Sequence, residues 1–159
     1  MLFRSRLTIS LRPEAVEEIV AESIQQASKN YPDHKISIMV PDEVLFIPMD
    51  GKLIVQVLIN LIENAIKHTT PSEEIKVKVW LDNKKAWFEV SDNGIGINTN
   101  DIPKLFDMFF VGSNSGTDVK QGMGLGLSIC KSIINYHGGE IYAQNNAEGG
   151  ATFKFYLNV

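Results

Sequence analysis

Residues 50–68, "DGKLIVQVLINLIENAIKH", read as one unbroken helix, and its wheel leaves few folds open. Ile54, Leu58, Leu61, Ile62 and Ala65 share one face, an apolar stripe that must be covered. The pattern stops before Thr70-Pro71, where the residue ahead of proline is pushed out of helical geometry. Two alternating segments follow at once. "EEIKVKVWLDN" runs through Ile75, Val77, Val79 and Leu81, and "KAWFEVSDN" runs through Trp87 or Phe88 to Val90. With Asp82-Asn83-Lys84 between them they read as a hairpin with one apolar face. A helix stripe and a half-apolar hairpin in sequence predict a helix layer packed on a sheet.

The flanking segments extend that plan. "PEAVEEIVAESIQQASK", from Pro13 to about Lys29, has helical spacing at Val16, Ile19, Val20, Ile24 and Ala27, with proline and glutamates in its first turn. "KISIMV" (35–40) and "VLFIPM" (44–49) read as two short strands around Pro41-Asp42. Residues 97–122 are polar and broken by one short helical piece, "DIPKLFDMF", a length typical of a lid or binding loop. A third helix from about Leu125 ends at Gly138-Gly139. "EIYAQNN" and "ATFKFYLNV", joined by Glu148-Gly149-Gly150, form a second hairpin. Three helices and about six strands predict an α+β two-layer sandwich, a mixed sheet covered on one face by the helices. Residues 1–10 read as a lead-in segment and 11–159 as a single domain.

Composition excludes several classes. With 159 residues, 44% hydrophobic and 21% charged, the chain has enough apolar surface for a core. Net charge is -4 and no basic run exceeds a pair, which argues against a nucleic-acid partner. The single cysteine, Cys130, allows no internal disulfide and fits a reducing compartment. No apolar stretch approaches the ~18 residues of a membrane span, and the N-terminus lacks a signal-peptide core. A soluble cytoplasmic domain without direct membrane contact is expected.

Three stretches carry candidate chemistry. Beside the apolar stripe of the 50–68 helix, Asn60, Asn64, Lys67 and His68 gather on an arc about 100° wide. Surface polarity would explain them, but asparagine is a mediocre helix former and two at i and i+4 ask for a reason. An amide oxygen suits Mg²⁺, and a lysine a turn further on can meet a phosphate. "DNGIGI", Asp92 to Ile97, is a tight turn at least; framing a pocket, Asp92 can accept from an adenine amino group while Gly94 and Gly96 let backbone pass close. "GMGLGLSIC" (122–130) places glycines at 122, 124 and 126 where a helix begins. It is either a flexible loop or a backbone cradle for phosphate. Neither a Walker loop nor a dinucleotide fingerprint fits it, since Leu127 stands where the last glycine of G-x-G-x-x-G would fall.

In order, "N-x-x-x-N-A-x-K-x-T", "D-x-G-x-G", "LFDMFF" and "G-x-G-L-G-L" resemble the ATP-binding catalytic domain of sensor histidine kinases, in the superfamily shared with gyrase, the Hsp90 chaperones and MutL. The resemblance runs from about residue 12 to the C-terminus. "LRPEAVEEIV", "QVLINLIENAIKHT", "GLGLSICKSIINYHGGEI" and "NAEGGATFKFYL" look most like the potassium-responsive Kdp-type kinases. It implies the Bergerat-type fold and ATP with Mg²⁺ as ligands. Asn64 would hold the Mg²⁺ that bridges the phosphates, Asn60 would support it and Lys67 would contact phosphate. Asp92 would read the adenine amino group, with Gly94 and Gly96 lining the base pocket. Gly122, Gly124 and Gly126 would fold the lid over the triphosphate, and Phe106 and Phe109 would anchor that lid, although core packing explains both equally well. His68, Ile97, Lys120, Met123, Leu125, Leu127 and Thr152 complete the implied ATP-binding set.

The departures from that pattern are informative. His68 stands where a larger aromatic usually packs on adenine. Val111 stands where an arginine often neutralises the γ-phosphate, a role Lys120 would take over. The family's ATP hydrolases carry a glutamate four residues before the Mg²⁺-binding asparagine, as general base for water; here that residue is Asn60. The three histidines are followed by Lys35, Thr69 and Gly138, so none resembles the acceptor histidine with its acidic neighbour. The implied partners are therefore a dimerisation domain carrying the acceptor histidine and, through it, a response regulator. A monomer that binds ATP without phosphorylating itself is expected. A partner-binding module without phosphotransfer and a hydrolase are the competing readings.

Overall fold

The computed structural model describes residues 8–108, 110 and 126–159. In chain order the elements are β1 (Arg12–Ala15), α1 (Val16–Ser28), β2 (Ile36–Met39), β3 (Phe46–Met49), α2 (Gly51–Lys67), β4 (Ile75–Asp82), β5 (Lys85–Asp92), α3 (Gly126–Tyr136), β6 (Ile141–Asn145) and β7 (Ala151–Asn158). A 3-10 turn covers Ile102–Lys104, all that forms of the helical piece expected in "DIPKLFDMF" within the described residues. Five strands make a mixed sheet in the order β2-β4-β5-β7-β6, parallel only between β2 and β4. The α+β sandwich and its three helices match the sequence reading.

α2 forms where its periodicity places it. The Asp50 side chain caps it by accepting from the Leu53 N–H at 3.4 Å, and His68 ends it. Its buried residues are Ile54, Val55, Val57, Leu58, Leu61, Ile62, Ala65 and Ile66, which contains the whole apolar stripe read from the sequence. The helix lies between α1 and α3 and rests on β4 and β5. Across the sheet, Phe88 and Phe155 are directly opposite and stack with centroids 4.9 Å apart. Phe88, not Trp87, is therefore the core residue of β5. Trp87 faces outward, stacked on Trp80 at 6.1 Å with Lys154 over its ring. Leu81, expected on the apolar face, is half exposed at the hairpin end of β4.

Two expectations are corrected by strand pairing. The first helix starts at Val16 rather than Pro13, because residues 12–15 pair with β3. In that ribbon Pro13 lies opposite Pro48. Neither can donate, so the two prolines fit together at a non-hydrogen-bonded pair. β2 and β3 are both strands but do not pair with each other; β3 takes β1, and β2 joins β4 in parallel. A parallel partner needs a crossover, and α2 lies within it.

The end of α3 is tied back to the start of α2. His137 Nε2 accepts from the Asp50 N–H at 3.0 Å, so the ring proton sits on Nδ1, which donates to Ile133 O at 2.8 Å. Gly138, at φ +81°, turns the chain away, and Gly139 packs so tightly on the Tyr156 carbonyl that no side chain fits. Truncating the central ring of the sheet tests this core. Phe88→Ala should lower stability by about 3–5 kcal/mol, read as a fall in the urea midpoint.

Candidate functional site

The alternation that buries Ala86, Phe88 and Val90 carries one residue further and buries Asp92 at the end of β5. Its Oδ1 accepts from the Gly94 N–H at 2.9 Å and the Ala151 N–H at 3.2 Å. Oδ2 makes no hydrogen bond among the described residues. No buried side-chain oxygen or nitrogen there lacks a partner, so Oδ2 must reach solvent. Burial pushes the Asp92 carboxyl up from the usual range; the two backbone N–H donors and the charge of His68 oppose it, and Glu73 adds to it. The result is a recessed acceptor with one oxygen pinned and one open.

α2 supplies the other wall. His68 Nδ1–H donates to the Asn64 backbone oxygen at 2.8 Å, which turns the imidazole back over the last turn of the helix. Gly94 lies against this end of α2, so close that a Cβ would overlap the His68 carbonyl oxygen and meet Thr69 Cγ2. That contact is a reason for glycine at 94 that exists without any ligand. The Asn64 amide is half-buried and makes no hydrogen bond among the described residues, so its oxygen is available to a cation. Among the described residues no group of three or more His, Cys, Asp or Glu is placed to hold a metal. A hard cation supplied with phosphate oxygens and water would fit that single amide. Lys67 is exposed on the next turn.

Asn60, expected to support the cation site, uses its amide nitrogen within the protein. Its Nδ2 donates to the Gly126 carbonyl at 3.4 Å and to Cys130 Sγ at 3.7 Å, tying α2 to the first turn of α3. Burial pushes the Cys130 thiol up to about 12, so it is a packed, inert group. Among the described residues nothing lies within 4 Å of where a Gly126 Cβ would point, unlike at Gly94. Leu127, Ile97 and Phe106 all pack against the core, Phe106 edge-on to Phe153 at 6.3 Å. Thr152 is buried on β7, its Oγ1 accepting from Asn146 Nδ2 at 3.2 Å. Phe109, Val111, Lys120, Gly122, Met123, Gly124 and Leu125 lie outside the described residues.

The family model described as "Histidine kinase-, DNA gyrase B-, and HSP90-like ATPase" matches residues 49–159, from the end of β3 to the C-terminus. The chain belongs to this family. The sensor protein KdpD of Clostridium acetobutylicum is 46% identical over 142 residues, 89% of this chain, in line with the Kdp-type likeness. This chain spans only 16% of that relative's length. Among solved structures, the catalytic domain of the histidine kinase ThkA superposes with a TM-score of 0.82 at 29% identity, covering 94% of this chain and 98% of that one. A ThkA structure in complex with the response regulator TrrA matches at 0.80 and 27% identity, covering 99% of this chain and 44% of that one. As a histidine kinase-like ATPase domain, the chain has a recognisable nucleotide-binding architecture.

Asn145 and Asn146 went unread in the sequence. Asn146 Nδ2 donates to the Asp92 carbonyl at 2.8 Å, while its Oδ1 accepts from Glu148 N–H and Gly150 N–H. An asparagine pair at a strand end before Glu-Gly-Gly is a turn signal that marks the turn, though not its target.

Two predictions follow from these contacts. Because burial raises the Asp92 pKa, the folded state binds that proton more readily than the unfolded chain. Stability therefore falls as pH rises from the ordinary aspartate range through the raised value. Asp92→Asn should melt above wild type at pH 7 and converge with it near pH 4, while losing nucleotide because an amide donor replaces the open acceptor. A lower melting point at pH 7 would sink the argument. Gly94→Ala should cost about 1–3 kcal/mol in denaturant unfolding, whereas Gly126→Ala should change stability by less than about 1 kcal/mol.

Proposed function

We propose that the domain binds Mg-ATP and donates the γ-phosphate to an acceptor histidine on a separate dimerisation domain of the same sensor kinase. The observation that carries this reading is the recessed Asp92 carboxylate, one oxygen fixed and the other open, on a loop that packs against the end of α2, whose Asn64 amide makes no hydrogen bond among the described residues. Asp92 Oδ2 accepts from the adenine amino group, which a carboxylate does and an amide nitrogen would not. Asn64 would hold Mg²⁺ through its amide oxygen, with Lys67 adding a cation a turn away. The metal supplies charge neutralisation between the phosphates when bound. Asn60 anchors Gly126, so that the N-terminus of α3 keeps its orientation toward the triphosphate.

In the transfer itself, the bond between the γ-phosphorus and the β–γ bridging oxygen breaks as an imidazole nitrogen attacks. ADP leaves with that oxygen, and the imidazole loses its N–H proton. Hydrolysis is disfavoured by the residues present. Asn60 occupies the position of the hydrolases' general base, and an amide cannot take a proton from water. Glu63 lies about 100° around the helix from Asn64.

By analogy with ThkA and TrrA, the phosphate passes onward to a response regulator. No helix of the described residues is long and apolar enough to cross a membrane. We place the domain on the cytoplasmic side of a larger sensor of the Kdp type.

Calorimetric titration with ATP and ADP, each with and without Mg²⁺, tests the binding step. Tighter binding with Mg²⁺, abolished in Asp92→Ala, is expected. Mixing with an acceptor domain and labelled ATP should transfer label to histidine without steady phosphate release. Sustained hydrolysis that Glu63→Gln abolishes would overturn the assignment.

A further inference from the structure

The loop from Asp92 to Ile97 is held at both ends by the hairpin that closes the chain. At its far end, the Asn145 side chain makes a paired contact with one residue: Ile97 N–H donates to Asn145 Oδ1 at 2.7 Å, and Asn145 Nδ2 donates to Ile97 O at 2.9 Å. Between the ends, Gly96 adopts φ +78° and leans on the same hairpin. A Cβ there would lie 2.5 Å from Gly149 O and 2.9 Å from Asn145 Oδ1. At the near end, Asn146 holds the Asp92 carbonyl, and Gly150 packs on that carbonyl with no room for a side chain.

We infer that Asn145 is a positioning residue for adenine recognition, acting through Gly96 and Ile97 rather than by touching the nucleotide. This inference rests on the nucleotide-binding reading above. Asn145 is exposed, so burial does not force its amide to find partners. Its two bonds instead restrict a loop whose glycines have no stiffness of their own. Asn146 is woven into the hairpin turn through its own backbone and both side-chain atoms, so its loss would disturb folding as well. Asn145 separates the two effects, because its bonds reach only the loop.

The test compares ADP affinity with thermal stability for the wild-type chain, Asn145→Ala and Asn145→Gln. Asn145→Ala should weaken ADP about five- to tenfold, the effect of one or two lost hydrogen bonds on an ordered loop. Its nucleotide-free melting point should stay within about 2 °C of wild type, because exposed polar contacts add little to global stability. Asn145→Gln keeps a donor and an acceptor and should bind ADP more tightly than the alanine variant. Unchanged ADP affinity in Asn145→Ala would overturn the inference, as would a loss of affinity matched by a large fall in melting point. Failure of the wild-type chain to bind any adenine nucleotide would instead overturn the functional reading, and the positioning role with it.

Discussion

The burial of α2 against the sheet is the constraint on which the rest of the structure depends. Eight of its residues are buried, and all but Ala65 are worth roughly 1.5–3 kcal/mol each relative to exposure. Turning the helix by one residue's worth of rotation would expose much of that stripe, at a cost on the order of 10 kcal/mol. The rotation of α2 is therefore locked by its apolar face. Asn60, Asn64 and His68 sit beside that stripe and inherit the lock. Core packing and the placement of these polar side chains are two consequences of a single helical phase.

β5 repeats the arrangement with a period of two. Ala86, Phe88 and Val90 must face α2, and the same alternation leaves Asp92 no choice but to point inward. A carboxylate there costs desolvation, which the pinned Oδ1 offsets and the solvent-facing Oδ2 limits. The glycines around it answer different needs. Gly94 permits contact with the end of α2, Gly96 supplies a positive φ against the final hairpin, and Gly126 meets no other described residue where a Cβ would point.

The sequence was legible wherever the physics is local. The span of α2, the β4–β5 hairpin around Asp82-Asn83-Lys84 and the stop at Gly138 all depend on neighbours a few residues apart. The arc of Asn60, Asn64, Lys67 and His68 was legible for the same reason, since helix phase alone places them beside the apolar stripe. Pro13 misled because a proline suits a helix's first turn and a strand's non-bonded position equally well. Which one wins depends on Pro48, 35 positions on, at the facing site of the ribbon.

What the sequence determined by itself was therefore the three helices, the six strands other than β1, most of the faces they bury and the chemistry of the residues beside those faces. Periodicity and capping express those within a few turns of chain. Only the tertiary structure decided that β2 runs parallel to β4, that Asn60 reaches Gly126 and that Asn145 and Asn146 hold the loop of Asp92. Those contacts join residues 39 to 66 positions apart, where local propensity has no say. They are chosen by which polar side chains and strand edges come within reach of partners once the apolar layers have closed.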